Sequence, residues 1–308
     1  MGKLLVAGYC SIDHIVKLDN DPVIGHTSLI LNKDSSKPYY GGCSINIASI
    51  LSKVGLPATP IVRVGDDFKS SGFEQFLLDN HVDMSLTKII PNEVTSHSYL
   101  LETSSGNHVT LFHPGAMHSK NFTPYDETNF KDARLLVLTI NAYQDNVHLL
   151  NLARKYQIPL ALGMKLDKDG LPDDLLKEII SEINILFANE NEIDYILKVC
   201  NYTSPQELFN DNLEIIVMTK GSEGSLVMTQ NLNIHIPVYK DINLVDTAGA
   251  GDAYIAGFLY GYLNDLDLTT SGFMGSVMSS FILEAVGCTT NIPTKNEFIQ
   301  RLNKFRRL

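Results

Sequence analysis

The sequence predicts an α/β fold with a mostly parallel central sheet, helices on both faces and a small β-sheet lid. Three observations predict it. Short apolar runs at Leu135 to Leu138, Pro159 to Leu162, Ile183 to Phe187 and Glu214 to Met218 alternate with helical patterns such as Asn146 to Tyr156 and Leu171 to Ser181. Such alternation produces parallel strands joined by crossover helices. Near the C-terminus, a glycine turn opens a strongly apolar helix within Leu244 to Leu263. Two β-type segments lie outside the alternation and are read as inserts. No repeat, low-complexity tract or linker interrupts residues 1–308, which are expected to form one domain with a lid inserted at about 14–40 and 94–115.

In chain order, Leu4 to Ala7 is a short apolar run ending at Gly8, as in a strand buried on both faces. Asp13 follows. Ligands of open α/β sheets gather outside the carboxyl ends of strands, so this acid is placed either to meet substrate hydroxyls or simply to form a turn. The stretch from Ile15 to Tyr40 is polar and broken, with a β-type piece at Ser28 to Leu31. A second insert pairs Ser98 to Thr103 with His108 to Phe112 around Ser104-Ser105-Gly106-Asn107, a hairpin with a four-residue loop. A two-stranded ribbon is marginal alone, so the two inserts are expected to join in one small sheet. Between them, Gly41 and Gly42 precede a helix from Ser44 to Val54 that is stopped by Gly55. Asn46 lies in its first turn and both donates and accepts hydrogen bonds. A glycine pair with Asn suits a polyhydroxyl ligand, or serves as a plain cap and turn.

The glycine turn carries the chemistry. Gly249, Ala250 and Gly251 stand between Asp246 and Asp252, and apolar residues then recur at helical spacing from Ala253 to Tyr262. The first amides of a helix lack partners and carry partial positive charge, and glycine lets an anion approach them closely. A carboxylate beside such an anion site needs a task. Taking a proton from an attacking hydroxyl is one; favouring the helix dipole is the simpler one. No Gly-Lys-Ser/Thr follows, so this is not a P-loop, and it lacks the dinucleotide-binding glycine spacing.

The run D-T-A-G-A-G-D at Asp246 to Asp252 and the helix after it resemble the C-terminal signature of the ribokinase, or PfkB carbohydrate kinase, family. Gly41 to Gly72, with G-G-C-S-I-N followed by R-V-G-D-D-F-K-S-S-G, resembles its N-terminal signature. The resemblance spans essentially the whole chain. It implies a ribokinase-like fold and a kinase using ATP and Mg2+. Asp252 would be the base, with Gly249, Ala250 and Gly251 holding the transferred phosphoryl group and Thr247 beside the nucleotide. Asp13, Gly41, Gly42 and Asn46 would bind substrate under a water-excluding lid, which in several members also pairs subunits. Asn189 and Glu192 match the family's N-x-x-E motif, with Glu192 acting on magnesium through water. They form an equally good capping box. Thr219, Gly221 and Gly224 match a T-x-G-x-x-G turn beside the nucleotide, or a strand-to-strand turn. The loop from Gly287 to Pro293 resembles one that closes the nucleotide site and in many members binds a monovalent cation such as K+.

The substrate is narrower ground. Phe112 to Ala116 resembles a run of the microbial nucleoside-kinase branch, where Phe112 would stack on a base or close over a sugar; core packing is the competing account. Gly163-Met164-Lys165 stands where many members have D-x-N, and Asn141-Ala142 where true ribokinases have Glu. A sugar-phosphate kinase would need several cations at its pocket. The candidates are Arg63 and Lys165, with Lys17, Lys33 and Lys37 in the lid. A ribose-containing, unphosphorylated sugar or nucleoside is therefore the expected acceptor. A phosphofructokinase-type enzyme and a non-catalytic sugar or nucleotide sensor are the alternatives.

Composition sets outer limits. The 308 residues are 44% hydrophobic with a formal net charge of −11, and the basic residues Lys304, Arg306 and Arg307 cluster only at the end. This excludes the basic face of a nucleic-acid binder. Cys10, Cys43, Cys200 and Cys288 show no C-x-x-C spacing, and the nine histidines no zinc pattern. With no apolar run long enough to span a bilayer and no signal-peptide layout, a cytoplasmic protein with reduced thiols is expected. Cys43, beside the glycine pair, is either a buried small hydrophobe or a reactive thiol. The expected partners are a small-molecule substrate and, through the lid, a second copy of the chain.

Overall fold

In the computed structural model, residues 2–103 and 108–306 are described. The expected loop Ser104-Ser105-Gly106-Asn107 and Arg307 lie outside them. Thirteen strands and eight α-helices are present among the described residues. The strands are β1 (Lys3–Ala7), β2 (Ser11–Lys17), β3 (Tyr39–Gly41), β4 (Ala58–Val64), β5 (Thr87–Ile89), β6 (His97–Glu102), β7 (His108–His113), β8 (Ala133–Leu138), β9 (Leu160–Gly163), β10 (Ile185–Asn189), β11 (Ile215–Thr219), β12 (Ser225–Met228) and β13 (Asn233–Ile236). The helices are α1 (Cys43–Lys53), α2 (Phe73–Asp79), α3 (Tyr143–Tyr156), α4 (Asp173–Ile180), α5 (Glu190–Cys200), α6 (Ala250–Tyr262), α7 (Leu268–Ile282) and α8 (Lys295–Phe305).

Nine strands form the main sheet in the order β13-β12-β11-β10-β9-β8-β1-β4-β5. Pairing is parallel from β5 through to β11 and antiparallel only at the β11-β12-β13 edge. The alternation of side chains along a strand divides the interior in two. Leu4 and Val6 of β1 face one core with α1, α2, α6, α7 and α8. Leu5 and Ala7 face the other with α3, α4 and α5. Helices thus cover both faces, which is why strands such as β1 read as unbroken apolar runs.

β4 is not apparent from the sequence, because Pro60 and Arg63 interrupt its apolar run. All seven of its residues are buried. Pro60 pairs with Val6 of β1 ahead of the segment joined to β5, so its missing amide leaves that second ladder intact.

The small sheet has four strands in the order β3-β2-β6-β7. The expected hairpin is β6-β7, antiparallel, and β2 runs parallel to β6. Its first two strands differ from expectation: β2 starts at Ser11, and β3 rather than Ser28–Leu31 completes the sheet. Ser28–Leu31 forms only the isolated bridge Leu18↔Ile30. The reason is local. The Asn32 side chain accepts from the Lys17 amide at 2.8 Å and donates to the Ile15 carbonyl at 2.9 Å, taking the place of a strand on that edge.

Helices α6 and α7 nearly touch: a Cβ on Gly257 would stand 2.4 Å from the Met274 carbonyl oxygen. Backbone cannot yield as a side-chain tip does, so Gly257→Ala is expected to destabilise the protein by about 1–3 kcal/mol, measured as a lower urea midpoint. An unchanged midpoint would show that the two helices slide apart freely.

Candidate active site

The N-termini of α1 and α6 converge beside the C-terminal ends of β1 and β9. Each is entered through a left-handed glycine. Gly42 (φ 91°) caps α1, and a Cβ there would lie 2.3 Å from the Tyr9 carbonyl oxygen. Gly249 (φ 76°) caps α6, and a Cβ there would lie 2.7 Å from Cβ of Cys288. Only glycine enters both turns without strain. No side chain caps α6, which leaves its first-turn amides at Gly251 and Asp252 for a ligand. Asp246 orders the approach: its carboxylate accepts from the amides of Ala248 at 2.9 Å and Gly287 at 3.0 Å. Thr247 is exposed beside it, its carbonyl taking the Ala250 amide.

Asp252 is 5% exposed in the first turn of α6. Its Oδ2 accepts a 2.8 Å hydrogen bond from Nδ2 of Asn46, in the first turn of α1. Asp252 Oδ1 and Asn46 Oδ1 are buried without a partner. An unpaired buried acceptor is costly, so both oxygens are disposed to accept a hydrogen bond. Gly41 borders Asp13 and Asn46, since a Cβ on it would stand 2.9 Å from Asp13 Oδ2 and 3.2 Å from Asn46 Oδ1. Asp13 Oδ1 is held by the Ser11 hydroxyl at 2.6 Å, and burial raises the carboxyl's pKa. Asp13, Gly41, Asn46 and Asp252 therefore form one acceptor-rich pocket wall, suited to a ligand bearing several hydroxyls.

Asn189 caps α5, and the capping box is real: Glu192 donates its amide to Asn189 Oδ1 at 2.9 Å, and its Oε2 takes the Asn189 amide at 2.8 Å. Glu192 is buried, which raises its pKa, and it interacts electrostatically with Asp252 and Lys165. The register of β10 with β11 sets Asn189 beside Thr219. Gly221 (φ 54°) and Gly224 (φ 96°) shape the turn after it, which joins β11 to β12. Lys220 Nζ bridges to Glu190 at 2.9 Å, tying the turn to α5.

Phe112 is 44% exposed on β7, with its ring edge-on to Tyr9, centroids 5.2 Å apart. Core packing is thus not its role. Tyr9 escapes sequence reasoning, since a lone aromatic after a strand carries no pattern. It spans from the end of β1 to β7 of the small sheet, and burial followed by Asp167 raises its hydroxyl pKa to about 12. Cys43 is free, and burial, followed by the Asp252 carboxylate, holds its thiol well above the usual range. Among the described residues no group of three His, Cys, Asp or Glu side chains lies close enough to hold a metal ion.

Arg63 is not a pocket cation. It is 1% exposed and donates to Asp145 Oδ2 at 2.6 Å and to the Thr123 carbonyl at 2.9 Å. Removing one partner of a buried pair leaves an uncompensated charge, so Arg63→Met is expected to cost about 3–5 kcal/mol, read by urea unfolding. A loss near zero would mean that Asp145 finds water or another donor.

Comparison with known proteins fits this geometry. The profile of the pfkB family carbohydrate kinases matches residues 1–295. A nucleoside kinase of Methanocaldococcus jannaschii is 31% identical over 313 residues, covering 99% of this chain and 98% of that one. A ribokinase of Staphylococcus aureus is 26% identical, covering 97% and 99%. The crystal structure of a Methanocaldococcus jannaschii nucleoside kinase superposes with a TM-score of 0.88 at 29% identity over 99% of each chain. From its sequence and its fold alike, the chain belongs to the pfkB family of carbohydrate kinases, phosphotransferases that act on an alcohol group.

Proposed function

We propose that the protein transfers the γ-phosphate of ATP to a primary hydroxyl of an unphosphorylated, ribose-containing acceptor, with a nucleoside favoured. The observation that carries this reading is the unpartnered Oδ1 of Asp252, buried beside the uncapped amides of α6. A hydroxyl donating to that oxygen would satisfy it and lose its proton to it as it attacks. The amides at Gly249, Ala250 and Gly251 would hold charge developing on the transferred phosphoryl oxygens. Phosphoryl transfer asks chiefly for such positioning and charge stabilisation.

Three features support the acceptor class. Asp13 and Asn46 offer acceptors for sugar hydroxyls across Gly41. The Tyr9-Phe112 pair supplies aromatic faces for a base. Arg63, committed to Asp145, leaves the pocket without the cation cluster a sugar phosphate requires. A sensor without turnover would have no need of a poised carboxylate.

Asn189, Thr219, Gly221, Gly224 and Thr247 would line the nucleotide. Glu192 would reach magnesium through water, in keeping with a cation that keeps several waters. When bound, that ion would neutralise phosphate charge. A monovalent cation such as K+ would sit at the loop from Gly287 to Pro293. Residues 1–308 would act as one domain, with the four-stranded sheet as a lid that excludes water. Its exposed Tyr99, Val109 and Leu111 would pair with a second copy. Four free thiols suit a reducing compartment such as the cytoplasm, and no described helix is long and apolar enough to cross a membrane.

The test is turnover against nucleosides, pentoses, hexoses and hexose phosphates. The expected result is highest kcat/KM with a nucleoside. Asp252→Asn should then lower kcat by about 10²–10⁴-fold while nucleotide affinity, measured by calorimetry, is retained. Near-wild-type kcat in that variant would remove Asp252 as the base.

A further inference from the structure

Lys165 follows β9 directly, where the end of that strand runs against α6: a Cβ on Gly163 would stand 2.9 Å from Ile255 Cδ1. Its ammonium nitrogen lies 3.9 Å from the position a Cβ on Gly251 would take. It lines a crevice with Thr139, Asn141, Gly163 and Asp167. Asp252 is its foremost electrostatic neighbour, followed by burial and then by Cys43, Glu192 and Cys288, and the net effect raises its pKa, so the side chain is a fixed cation. Among the described residues it makes no hydrogen bond and no ion pair within 4.0 Å. Three N–H donors therefore stand free in a largely enclosed space. A desolvated ammonium without a touching counter-charge is costly, and the cost is offset when a polyanion arrives.

We propose that Lys165 is a catalytic residue whose ammonium binds the equatorial oxygens of the phosphoryl group in transit between ATP and the acceptor hydroxyl. This rests on the kinase reading above and assigns a role to a side chain that reading leaves idle. The amides of α6 and the Lys165 ammonium approach the same point from two elements. The amides contribute dipoles and Lys165 a full charge. Charge spreads over three oxygens in the transition state, and a fixed cation in a water-poor site acts on it more strongly than on the ground state. Its electrostatic neighbours are Asp252, Cys43, Glu192 and Cys288 rather than Asp13. A competing role is that of a mere counter-charge to Asp252 and Glu192.

The experiment compares wild type with Lys165→Met and Lys165→Arg, using ATP and the best acceptor of the panel. Lys165→Met should lower kcat by about 10²–10³-fold with little change in the acceptor KM, and Lys165→Arg should recover part of the loss. In calorimetry with acceptor present, ADP should bind Lys165→Met as it binds wild type, but the tightening brought by aluminium fluoride, a planar mimic of the phosphoryl group, should be lost. A structural counter-charge would lower the melting temperature and leave that tightening intact. Wild-type kcat and wild-type tightening in Lys165→Met would overturn the proposal. Should Lys165→Met not fold, lost tightening in a folded Lys165→Gln supports it and retained tightening overturns it. If wild type itself turns over no acceptor on the panel, the kinase reading fails first and this proposal falls with it.

Discussion

Asn46 and Asp252 stand 206 residues apart in sequence, and their 2.8 Å hydrogen bond joins the first turns of two helices. Much of the site follows from that contact. It uses one carboxylate oxygen and leaves the other buried without a hydrogen-bond partner. It sets the amides of α6 at a fixed distance from the acceptor-rich wall of α1 and β2. A charged group at a helix N-terminus is stabilised by the dipole, which offsets part of the cost of burying Asp252. The remainder is held in the unsatisfied oxygen.

The glycines of the site belong to the same constraint. Gly42 must let the chain leaving β1 pass under α1, and Gly249 must let the loop carrying Cys288 lie against α6. Both helices are thereby entered from turns that bring backbone, rather than side chains, to the ligand. Asp246 serves this arrangement, with one backbone amide on each of its oxygens.

Much of this was legible in the sequence. Apolar runs announced β1, β8, β9, β10 and β11 because strands buried on both faces must be apolar throughout. The glycine turn announced α6, and the hairpin segments announced half of the small sheet. β4 was hidden because Pro60 and Arg63 break its run, and Arg63 is tolerated there through Asp145 and the Thr123 carbonyl, which arrive from distant segments. Ser28–Leu31 has strand-like composition but loses its edge to the Asn32 side chain. The site residues were named mainly by resemblance to a family. No periodicity links Asn46 to Asp252, Asp13 to Gly41, or Tyr9 to Phe112, because each pair is created by the fold. Lys165 was visible as a cation, but its neighbours were not, and the neighbours decide its role.

The proposed transfer requires one oxygen atom of Asp252 to be reserved for the acceptor. The direct measurement is a crystal structure of the protein with a nucleoside acceptor and a non-hydrolysable ATP analogue. The expected result is the acceptor's primary hydroxyl within hydrogen-bond reach of Asp252 Oδ1, at about 2.6–3.2 Å, with the Asn46 bond to Oδ2 intact. A complex in which a protein donor fills Oδ1, or in which the hydroxyl lies against another part of the pocket, would contradict it.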